Sequence, residues 1–283
     1  MNCAIIGTGK IGIDLYYKLK KKNKLSIFNM NAKSEGAKYC KKKKFNYFSN
    51  GINGILKAKS KFDIIFDTTN AKSNFSHSKL IRDEYLVNLT PSGVGDFYIP
   101  YIDSSKKIKS KSFNLITCGG QSSIPIIYEI SKAFNNIKNV EVVSAISSKS
   151  AGLATRLNVN EYLEVTSKAI KSYTNIKNVK IILNINPGNP PVDMSNSIYF
   201  ELKKDFKKSQ ISKLKNIVSK VNIKMKRYAK GYKCRYIGKL NDRIYKITLS
   251  VTGNGDYLPK YSGNLDIITN MAARIVDKLK KLP

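Results

Sequence analysis

The feature that most constrains the fold is a glycine-rich turn near the start of the chain. Residues 2–6 read Asn-Cys-Ala-Ile-Ile and predict a short buried strand, and the motif Gly7-Thr8-Gly9-Lys10-Ile11-Gly12 follows directly before apolar residues at helical spacing. In a dinucleotide-binding fingerprint, Gly7 permits the tight turn, Gly9 the approach of a pyrophosphate and Gly12 the packing of helix on strand. The order strand, glycine turn, helix therefore favours cofactor binding over a chance turn.

Strand and helix patterns continue to alternate through the first 117 residues. Strands are predicted at 25–30, 62–67 and 85–89, and helices at 34–40, 52–57 and 71–82. This βαβ order is typical of a doubly wound parallel sheet, whose ligands bind beyond the carboxyl ends of the strands. Thr68, Thr69 and the run Thr90-Pro91-Ser92 follow such ends. They either contact a ligand or serve as ordinary loop and cap residues.

The end of the second strand is where an acidic residue normally holds the adenosine ribose, about 20 residues beyond the glycines. Here the sequence is Asn29-Met30-Asn31, with no carboxylate. Asn31 is predicted to accept a hydrogen bond from a ribose hydroxyl, but it lacks the negative charge that rejects a 2′-phosphate, and Lys33 is nearby. NAD is therefore the expected cofactor, and NADP stays open.

Beyond residue 118 the predicted elements have a more antiparallel character. Helices are predicted at 123–134, 159–172, 209–221 and 264–282, strands at 140–146, 180–185 and 197–201, and hairpin arms at 234–237 and 243–251. The last helix is amphipathic, with apolar residues at helical spacing. This half of the chain is expected to form an α+β domain.

The stretch around Cys118 has the features of a nucleophile site. An apolar run leads into Thr117 and Cys118, two glycines follow, and a helix is predicted to begin at Ser122 or Ser123. Unpaired N–H groups at a helix start stabilise a thiolate and so lower the pKa of a cysteine. Gly119 and Gly120 would let backbone N–H groups approach a substrate oxygen. Taken alone, the stretch fits a small buried residue at a strand end equally well.

The cysteines and the single histidine limit the possible chemistry. The four cysteines lie far apart, without a C-x-x-C pair, so neither a zinc site nor a disulfide framework is expected. Any histidine-dependent mechanism could use only His77. It lies between two serines and is predicted to be an ordinary surface residue. Free thiols fit a reducing, cytoplasmic compartment.

The net charge is formally +32, from 51 Lys and Arg against 19 Asp and Glu. The lysines are spread along the whole chain, so a solvated surface and attraction for anionic ligands are expected rather than nucleic-acid binding. No apolar run approaches the ~18 residues of a membrane span. The opening segment lacks a charged leader, so no signal peptide is expected. We therefore expect a soluble protein with no membrane partner.

Four longer motifs indicate a family. They are Asn-Leu-Thr-Pro-Ser at 88–92, Ile-Thr-Cys-Gly-Gly-Gln-Ser-Ser-Ile-Pro at 116–125, Ser-Lys-Ser-Ala-Gly at 148–152 and Asp-Tyr-Leu-Pro-Lys-Tyr-Ser-Gly-Asn-Leu-Asp-Ile at 256–267. With these motifs the chain resembles, over nearly its whole length, the acetylating acetaldehyde dehydrogenases that work with 4-hydroxy-2-oxovalerate aldolase in aromatic hydrocarbon catabolism.

The resemblance implies a fold and a set of site residues. Residues 1–117 and 264–283 would form a Rossmann domain to which the C-terminal helix returns, and 118–263 an inserted α+β catalytic and dimerisation domain. Cys118 would be the catalytic nucleophile. The residues implied to contact the nicotinamide cofactor, besides Gly7, Gly12 and Asn31 above, are Thr8, Gly9, Lys10, Ile11, Ser150, Ala151, Gly152, Leu153, Ala154, Thr155, Arg156, Leu157, Asn158 and Asn264.

The resemblance also implies the reaction and the partners. Acetaldehyde, coenzyme A (CoA) and NAD⁺ would give acetyl-CoA and NADH through a thiohemiacetal and an acyl-cysteine on Cys118. No metal is implied. The enzyme would be a homodimer within a hetero-oligomer, with acetaldehyde channelled from the aldolase.

Three departures from the family pattern are visible. Asn31 stands where relatives usually have Asp, and Asn196 aligns with an active-site aspartate, with Asp193 three residues earlier. The hairpin around 238–242 is shorter than its counterpart. A non-catalytic scaffold subunit for the aldolase is therefore one alternative. A phosphorylating semialdehyde dehydrogenase is another, although such enzymes typically use a histidine base.

Overall fold

The computed structural model describes residues 1–281, which separate into two units. Unit 1 comprises Met1–Ile116, Asp256–Leu258 and the chain from Ile268 onward, and unit 2 comprises Thr117–Gly255 and Pro259–Ile267. Leu282, where the predicted last helix ends, and Pro283 lie outside the described residues.

Unit 1 is built on a sheet of seven strands, every pair of which is parallel. Its strands are β1 (Asn2–Ile6), β2 (Lys24–Phe28), β3 (Tyr47–Phe48), β4 (Ile64–Asp67), β5 (Tyr85–Asn88), β6 (Asp96–Phe97) and β7 (Ser112–Asn114). Their spatial order is β3-β2-β1-β4-β5-β7-β6. The predicted doubly wound parallel sheet is confirmed.

The order reverses at β1, which pairs with β2 on one side and with β4 on the other. In open parallel sheets this switch point is where ligands bind. The helices that accompany the strands are α1 (Lys10–Leu19), α2 (Glu35–Lys42), α3 (Gly51–Leu56), α4 (Ala71–Ser78) and α5 (Pro100–Asp103).

The core of unit 1 forms where apolar strand residues meet the helices. A buried cluster joins residues from β1, β2, β4, β5 and α3, among them Ile6, Phe28 and Ile65. A buried polar contact lies elsewhere in this unit. The ammonium of Lys18 bonds to Asp14 and lies 2.7 Å from the hydroxyl of Thr269, so α1 is tied to the C-terminal helix.

Unit 2 is built on a mixed sheet of five strands in the order β11-β12-β10-β8-β9. Its strands are β8 (Ile137–Ser147), β9 (Asn178–Asn186), β10 (Met194–Leu202), β11 (Gly231–Asn241) and β12 (Ile244–Thr252), and its helices are α6 (Cys118–Ala133), α7 (Leu153–Leu157), α8 (Val159–Tyr173), α9 (Lys208–Met225) and the start of α10 (Gly263–Leu279). The pairings are antiparallel except for β8 with β9, which is parallel. The predicted α+β character is confirmed.

One face of this sheet is covered by helices and the other is less buried. In β10, Met194, Asn196 and every second residue after them are buried, while the intervening residues are partly exposed. Side chains alternate between the two faces of a strand, so the buried set packs toward the helices, where α6 contacts β10. Asn196 thus lies on the helix-covered face.

Several boundaries differ from the predictions. The helix predicted at 71–82 ends at Ser78, because the amides of Leu80 and Ile81 both turn back to the carbonyl of His77 and Ile81 enters the core. The hairpin arms extend to Asn241 and from Ile244, so the turn is shorter than predicted, with Arg243 at φ 63°. The short elements β3, β6, β7, α5 and α7 went unpredicted, since so few residues show no periodicity.

Candidate active site

The glycine loop of unit 1 uses its three glycines in different ways. Gly7 has a φ of 109°, which residues with a Cβ rarely adopt, and a Cβ on Gly12 would lie 2.0 Å from the carbonyl oxygen of Gly7. Gly9 is different, because no atom lies within 4 Å of where its Cβ would be. Gly7 and Gly12 are therefore needed for packing, and Gly9 leaves open space beside the loop.

This open space adjoins the start of α1. The helix begins at Lys10 with Gly9 as its N-cap, and a glycine has no side chain with which to cap the first N–H groups. A cavity of about 560 Å³ is lined by Thr8, Gly9, Lys10, Ile13, Glu35, Gly36, Lys38, Tyr39, Lys42 and Tyr257. A helix start with a glycine N-cap, flanked by lysines, fits the pyrophosphate of a dinucleotide.

Asn31, predicted to hold the ribose, is exposed after the end of β2. Its Oδ1 accepts the amide N–H of Lys33 at 3.0 Å, which closes a local turn. The side-chain oxygen of Asn31 is therefore already engaged within the loop.

The hydroxyl residues at the strand ends make internal contacts. Thr68 Oγ1 donates to the carbonyl of Ile6 at 2.8 Å, and Thr90 Oγ1 to Asn88 Oδ1 at 2.8 Å. Ser92 Oγ donates to Asn74 Oδ1 at 2.6 Å. The structure thus uses these side chains to hold the loops, in agreement with the simpler of the two roles predicted for them.

His77 is not the ordinary surface residue that was predicted. Its Nδ1 lies 2.8 Å from Asp67 Oδ2, and its side chain is 12 % exposed. Asp67 is fully buried at the end of β4 and also accepts hydrogen bonds from Asn74 and Thr69. His77 therefore belongs to a polar network that anchors α4 to the sheet. The position in sequence gave no indication of this contact.

In unit 2, helix α6 begins at Cys118 itself rather than at Ser122 or Ser123. Thr117 is the N-cap, and its hydroxyl accepts the N–H of Gly120 at 2.9 Å. Two glycines are poor helix formers, and Pro125 is favoured near a helix start, so the local pattern indicated a later beginning. Cys118 is consequently in the first turn of the helix, partly exposed.

A tyrosine that the sequence analysis missed lies beside the cysteine. Tyr162, on α8, has its hydroxyl oxygen 3.9 Å from Cys118 Sγ and accepts the N–H of Gly119 at 3.1 Å. One helical turn further, Thr166 exchanges a hydrogen bond with Thr117 at 2.7 Å. The spacing of four residues places both on one face of α8, but nothing local relates that face to Cys118.

The predicted lowering of the cysteine pKa is wrong. Burial raises the pKa of the Cys118 thiol to about 11, and hydrogen bonds from Tyr162 and from the amides of Gly119 and Cys118 offset only part of that effect. The amides of Gly119 and Gly120, predicted to hold a substrate oxygen, already bond to Tyr162 and Thr117. The N–H groups of Gly119 and Gly120, in the first turn of α6, therefore already have acceptors within the protein.

Comparisons with known proteins identify the family. The family model described as prokaryotic acetaldehyde dehydrogenase, dimerisation, matches residues 118–259. An acetaldehyde dehydrogenase from Geobacillus stearothermophilus is 36 % identical over 98 % of this chain and 95 % of its own length, and one from Pectobacterium atrosepticum is 37 % identical over the same shares. The chain belongs to the acetaldehyde dehydrogenase family. The prediction from the motifs is thereby confirmed as far as the acetaldehyde dehydrogenase family, and the aldolase partnership stays a prediction.

A solved structure supports the fold of this family member. The aspartate semialdehyde dehydrogenase II of Vibrio cholerae, solved with a ligand abbreviated ASA, covers 98 % of this chain and 98 % of its own length with a TM-score of 0.63 and 12 % identity. At that identity the likeness concerns the fold alone.

The position that departs from the family pattern, Asn196, is fully buried. Its Nδ2 donates to Ser122 Oγ at 2.5 Å and lies 3.4 Å from the carbonyl of Gly119. Its Oδ1 has no hydrogen-bond partner among the described residues. The nearby carboxylate, Asp193, accepts a hydrogen bond from the hydroxyl of Thr252. Asn196 is thus a neutral group that binds the first turn of α6 and cannot act as a base.

The predicted cofactor loop of this acetaldehyde dehydrogenase homologue is partly helical, since α7 occupies 153–157. Ser150 and Asn158 are buried, whereas Leu153 and Leu157 are 73 % and 70 % exposed. Asn264 is also buried, and within residues 1–281 its Oδ1 has no partner. An unpartnered buried amide oxygen fits a carboxamide donor such as that of nicotinamide.

No three His, Cys, Asp or Glu side chains are grouped so as to hold a metal ion in residues 1–281. No helix within that range has both the length and the apolar character needed to cross a membrane.

Proposed function

We propose that the chain is an acetylating acetaldehyde dehydrogenase, which converts acetaldehyde, CoA and NAD⁺ to acetyl-CoA and NADH. One observation carries this proposal. Cys118 stands partly exposed in the first turn of α6, with the hydroxyl oxygen of Tyr162 3.9 Å from its sulfur. A sulfur so placed suits covalent capture of an aldehyde.

In the proposed reaction the sulfur of Cys118 attacks the aldehyde carbon and forms a thiohemiacetal. The first N–H groups of a helix have no acceptor within the helix. Gly119 and Gly120 donate elsewhere, so we assign the oxyanion to the N–H of Cys118 itself. A bound nicotinamide cofactor supplies the hydride acceptor. Cys118 then carries the acyl group as a thioester, which keeps it reactive, and releases it to the thiol of CoA.

The cofactor residues are part of the same proposal. Unit 1 would hold the dinucleotide through the loop Gly7-Thr8-Gly9-Lys10-Ile11-Gly12, a role supported by the glycine N-cap of α1 and the open space at Gly9. Asn31, the segment 150–158 and Asn264 would complete the site. Residues 1–117 with 264–283 would then be the cofactor domain, and 118–263 the catalytic and dimerisation domain.

The assembly is proposed on similar grounds. A homodimer is supported by the dimerisation model that matches unit 2 and by the partly exposed face of β10. We further propose a 4-hydroxy-2-oxovalerate aldolase as partner, and a cytoplasmic location, which four free cysteines support. Light scattering should give twice the 31.8 kDa chain mass, and the two purified enzymes should co-elute. Separate elution would reject the aldolase as a partner of this chain.

The activity is tested by absorbance at 340 nm with acetaldehyde and CoA, with NAD⁺ and NADP⁺ in parallel. Cys118→Ser should lower the rate at least about 10³-fold, because the nucleophile is lost. Cys234→Ser is the matched control, since Cys234 is also a partly exposed thiol of unit 2, and it should keep the activity. Activity retained in Cys118→Ser would reject the mechanism. A folded wild-type protein inactive with both cofactors would favour the scaffold alternative.

A further inference from the structure

We propose that Tyr162 is a positioning residue for the nucleophile, and that its hydroxyl donates a hydrogen bond to the Cys118 thiolate while holding the Gly119 amide in place. The catalytic meaning of this contact rests on the proposed function. The contact itself is a property of the folded chain. It would provide the sulfur with a neutral hydrogen-bond donor where the neighbouring Asn196 offers no charge.

The contact is built from two elements far apart in sequence. Tyr162 is 5 % exposed on α8, and its hydroxyl oxygen is 3.9 Å from Cys118 Sγ and 3.1 Å from the amide nitrogen of Gly119. Because the oxygen accepts the amide N–H, its own proton remains free to point at another acceptor. In the thiol form Cys118 donates to this oxygen, and on ionisation its sulfur becomes an acceptor beside the phenol. The hydroxyls of Ser144 and Thr117 also bond to the phenol.

The glycine after the cysteine is explained by this tyrosine. A Cβ on Gly119 would lie 2.1 Å from the hydroxyl oxygen of Tyr162 and 2.6 Å from Ser144 Oγ. Such distances are far inside ordinary contact, so only a glycine lets the phenol reach the helix start. Gly119 thus makes room for an internal hydroxyl, and not for a substrate oxygen as the sequence predicted.

The protonation states are consistent with a donor and exclude a base. Burial and the adjacent thiolate raise the pKa of Tyr162 well above its ordinary value, so the phenol keeps its proton at neutral pH. When Cys118 ionises, its proton goes to water, and the distance between the phenol oxygen and the sulfur shortens while the phenol keeps its proton. Hydrogen bonding to the charged form lowers a pKa.

Within residues 1–281, no charged side chain is among the groups that shift the Cys118 pKa. The main elements packed against α6 are α8, α9, β8 and β10, and β11 reaches it through Tyr232. Among their described residues the groups that act on the Cys118 pKa, besides burial, are the Tyr162 hydroxyl and the amides of Gly119 and Cys118. Tyr162 is therefore the titratable neighbour whose removal should be visible in the reactivity of the thiol.

The test is the pH profile of Cys118 alkylation by iodoacetamide, followed by mass spectrometry of the peptide that contains Cys118. Tyr162→Phe should slow alkylation about tenfold below pH 10 and move the profile to higher pH, because the thiolate loses a hydrogen bond. The matched control is Tyr232→Phe. It removes another buried hydroxyl bonded to α6, at the carbonyl of Ser122 and 2.8 Å away, and should leave the profile unchanged.

An unchanged or faster profile in folded Tyr162→Phe would overturn the proposal, since the hydroxyl would then be neutral or merely shield the sulfur. A second variant guards against misfolding. With 3-fluorotyrosine at position 162 the shape is kept and the donor is stronger, so alkylation should be faster, and equal rates would also overturn the proposal. Alkylation needs no aldehyde oxidation, so this outcome is independent of the activity assay that tests the proposed function.

Discussion

The starts of α1 and α6 look alike in sequence but differ in what their amides bind. Both follow a strand-forming segment and both are glycine-rich. At α1 the N-cap is Gly9, which has no side chain to bond the first amides, and the space beside Gly9 is open. At α6 hydroxyl groups of Thr117 and Tyr162 take the amides of Gly120 and Gly119.

The difference shows that the N–H groups at a helix start can serve two purposes. Unsatisfied N–H groups at a helix start attract an anion. At α1, where the N-cap has no side chain and the space beside it is open, a ligand that binds and dissociates can use them. At α6 the N–H groups donate to hydroxyl groups of the protein, and these hydrogen bonds hold the first turn of the helix in a fixed geometry. The catalytic role proposed for Cys118 needs the second arrangement, since its sulfur must be held in place.

The largest expected effect separates packing from binding at α1. Gly12→Ala should reduce the free energy of unfolding by about 3 kcal/mol, because its Cβ would lie 2.0 Å from the Gly7 carbonyl oxygen. Gly9→Ala meets no atom within 4 Å and should change stability by less than about 0.5 kcal/mol. Urea unfolding measures both.

Gly9→Ala should nevertheless weaken NADH binding, since its Cβ fills the space beside the open amides. Fluorescence titration of NADH measures the dissociation constant. Wild-type affinity in Gly9→Ala would remove the glycine loop from the proposed pyrophosphate site and would break the contrast between the two helix starts.

An intermediate effect on stability is expected when a negative charge is added beside the first turn of α6. Asn196→Asp should destabilise the protein by about 1–3 kcal/mol at pH 7, because a carboxylate oxygen would replace the amide that lies near the Gly119 carbonyl. Burial raises the pKa of such a carboxyl in the folded state, so the loss should be small in acid and grow as the pH rises through that pKa.

The matched control is Asn241→Asp, the same substitution at an exposed position of unit 2. It should change stability little at any pH. Urea unfolding at pH 5 and pH 8 compares the variants. Equal stability of Asn196→Asp and wild type at both pH values would show that the start of α6 tolerates an anion as the start of α1 does.

The smallest expected effect is a loss of folding stability at alkaline pH. Burial raises the pKa of Cys118, and of Cys3 and Cys40 in unit 1, from the ordinary 9.0 to about 11. A thiol whose folded pKa is raised contributes stability below pH 9, and that contribution is lost as the pH rises to 11. Wild type should therefore lose more stability between pH 8 and pH 10.5 than Cys118→Ser, which lacks one such thiol. Parallel losses in urea unfolding would contradict the raised pKa.

The sequence by itself determined what depends on neighbouring residues. The glycine loop, the βαβ order and most helices follow from local periodicity and from backbone freedom at Gly7. The family followed from motifs that are continuous in sequence. These features need no knowledge of what lies across the fold.

The tertiary structure decided what the two helix starts do. Tyr162 is 44 residues from Cys118, and its contact with the sulfur could not be found from local spacing. The same holds for His77, which Asp67 draws into a buried network from the preceding strand. Burial, which raises the pKa of Cys118 against the pull of the helix start, exists only once the chain has packed. A local pattern can place a cysteine at a helix terminus, but the desolvation of its sulfur is set by residues distant in sequence.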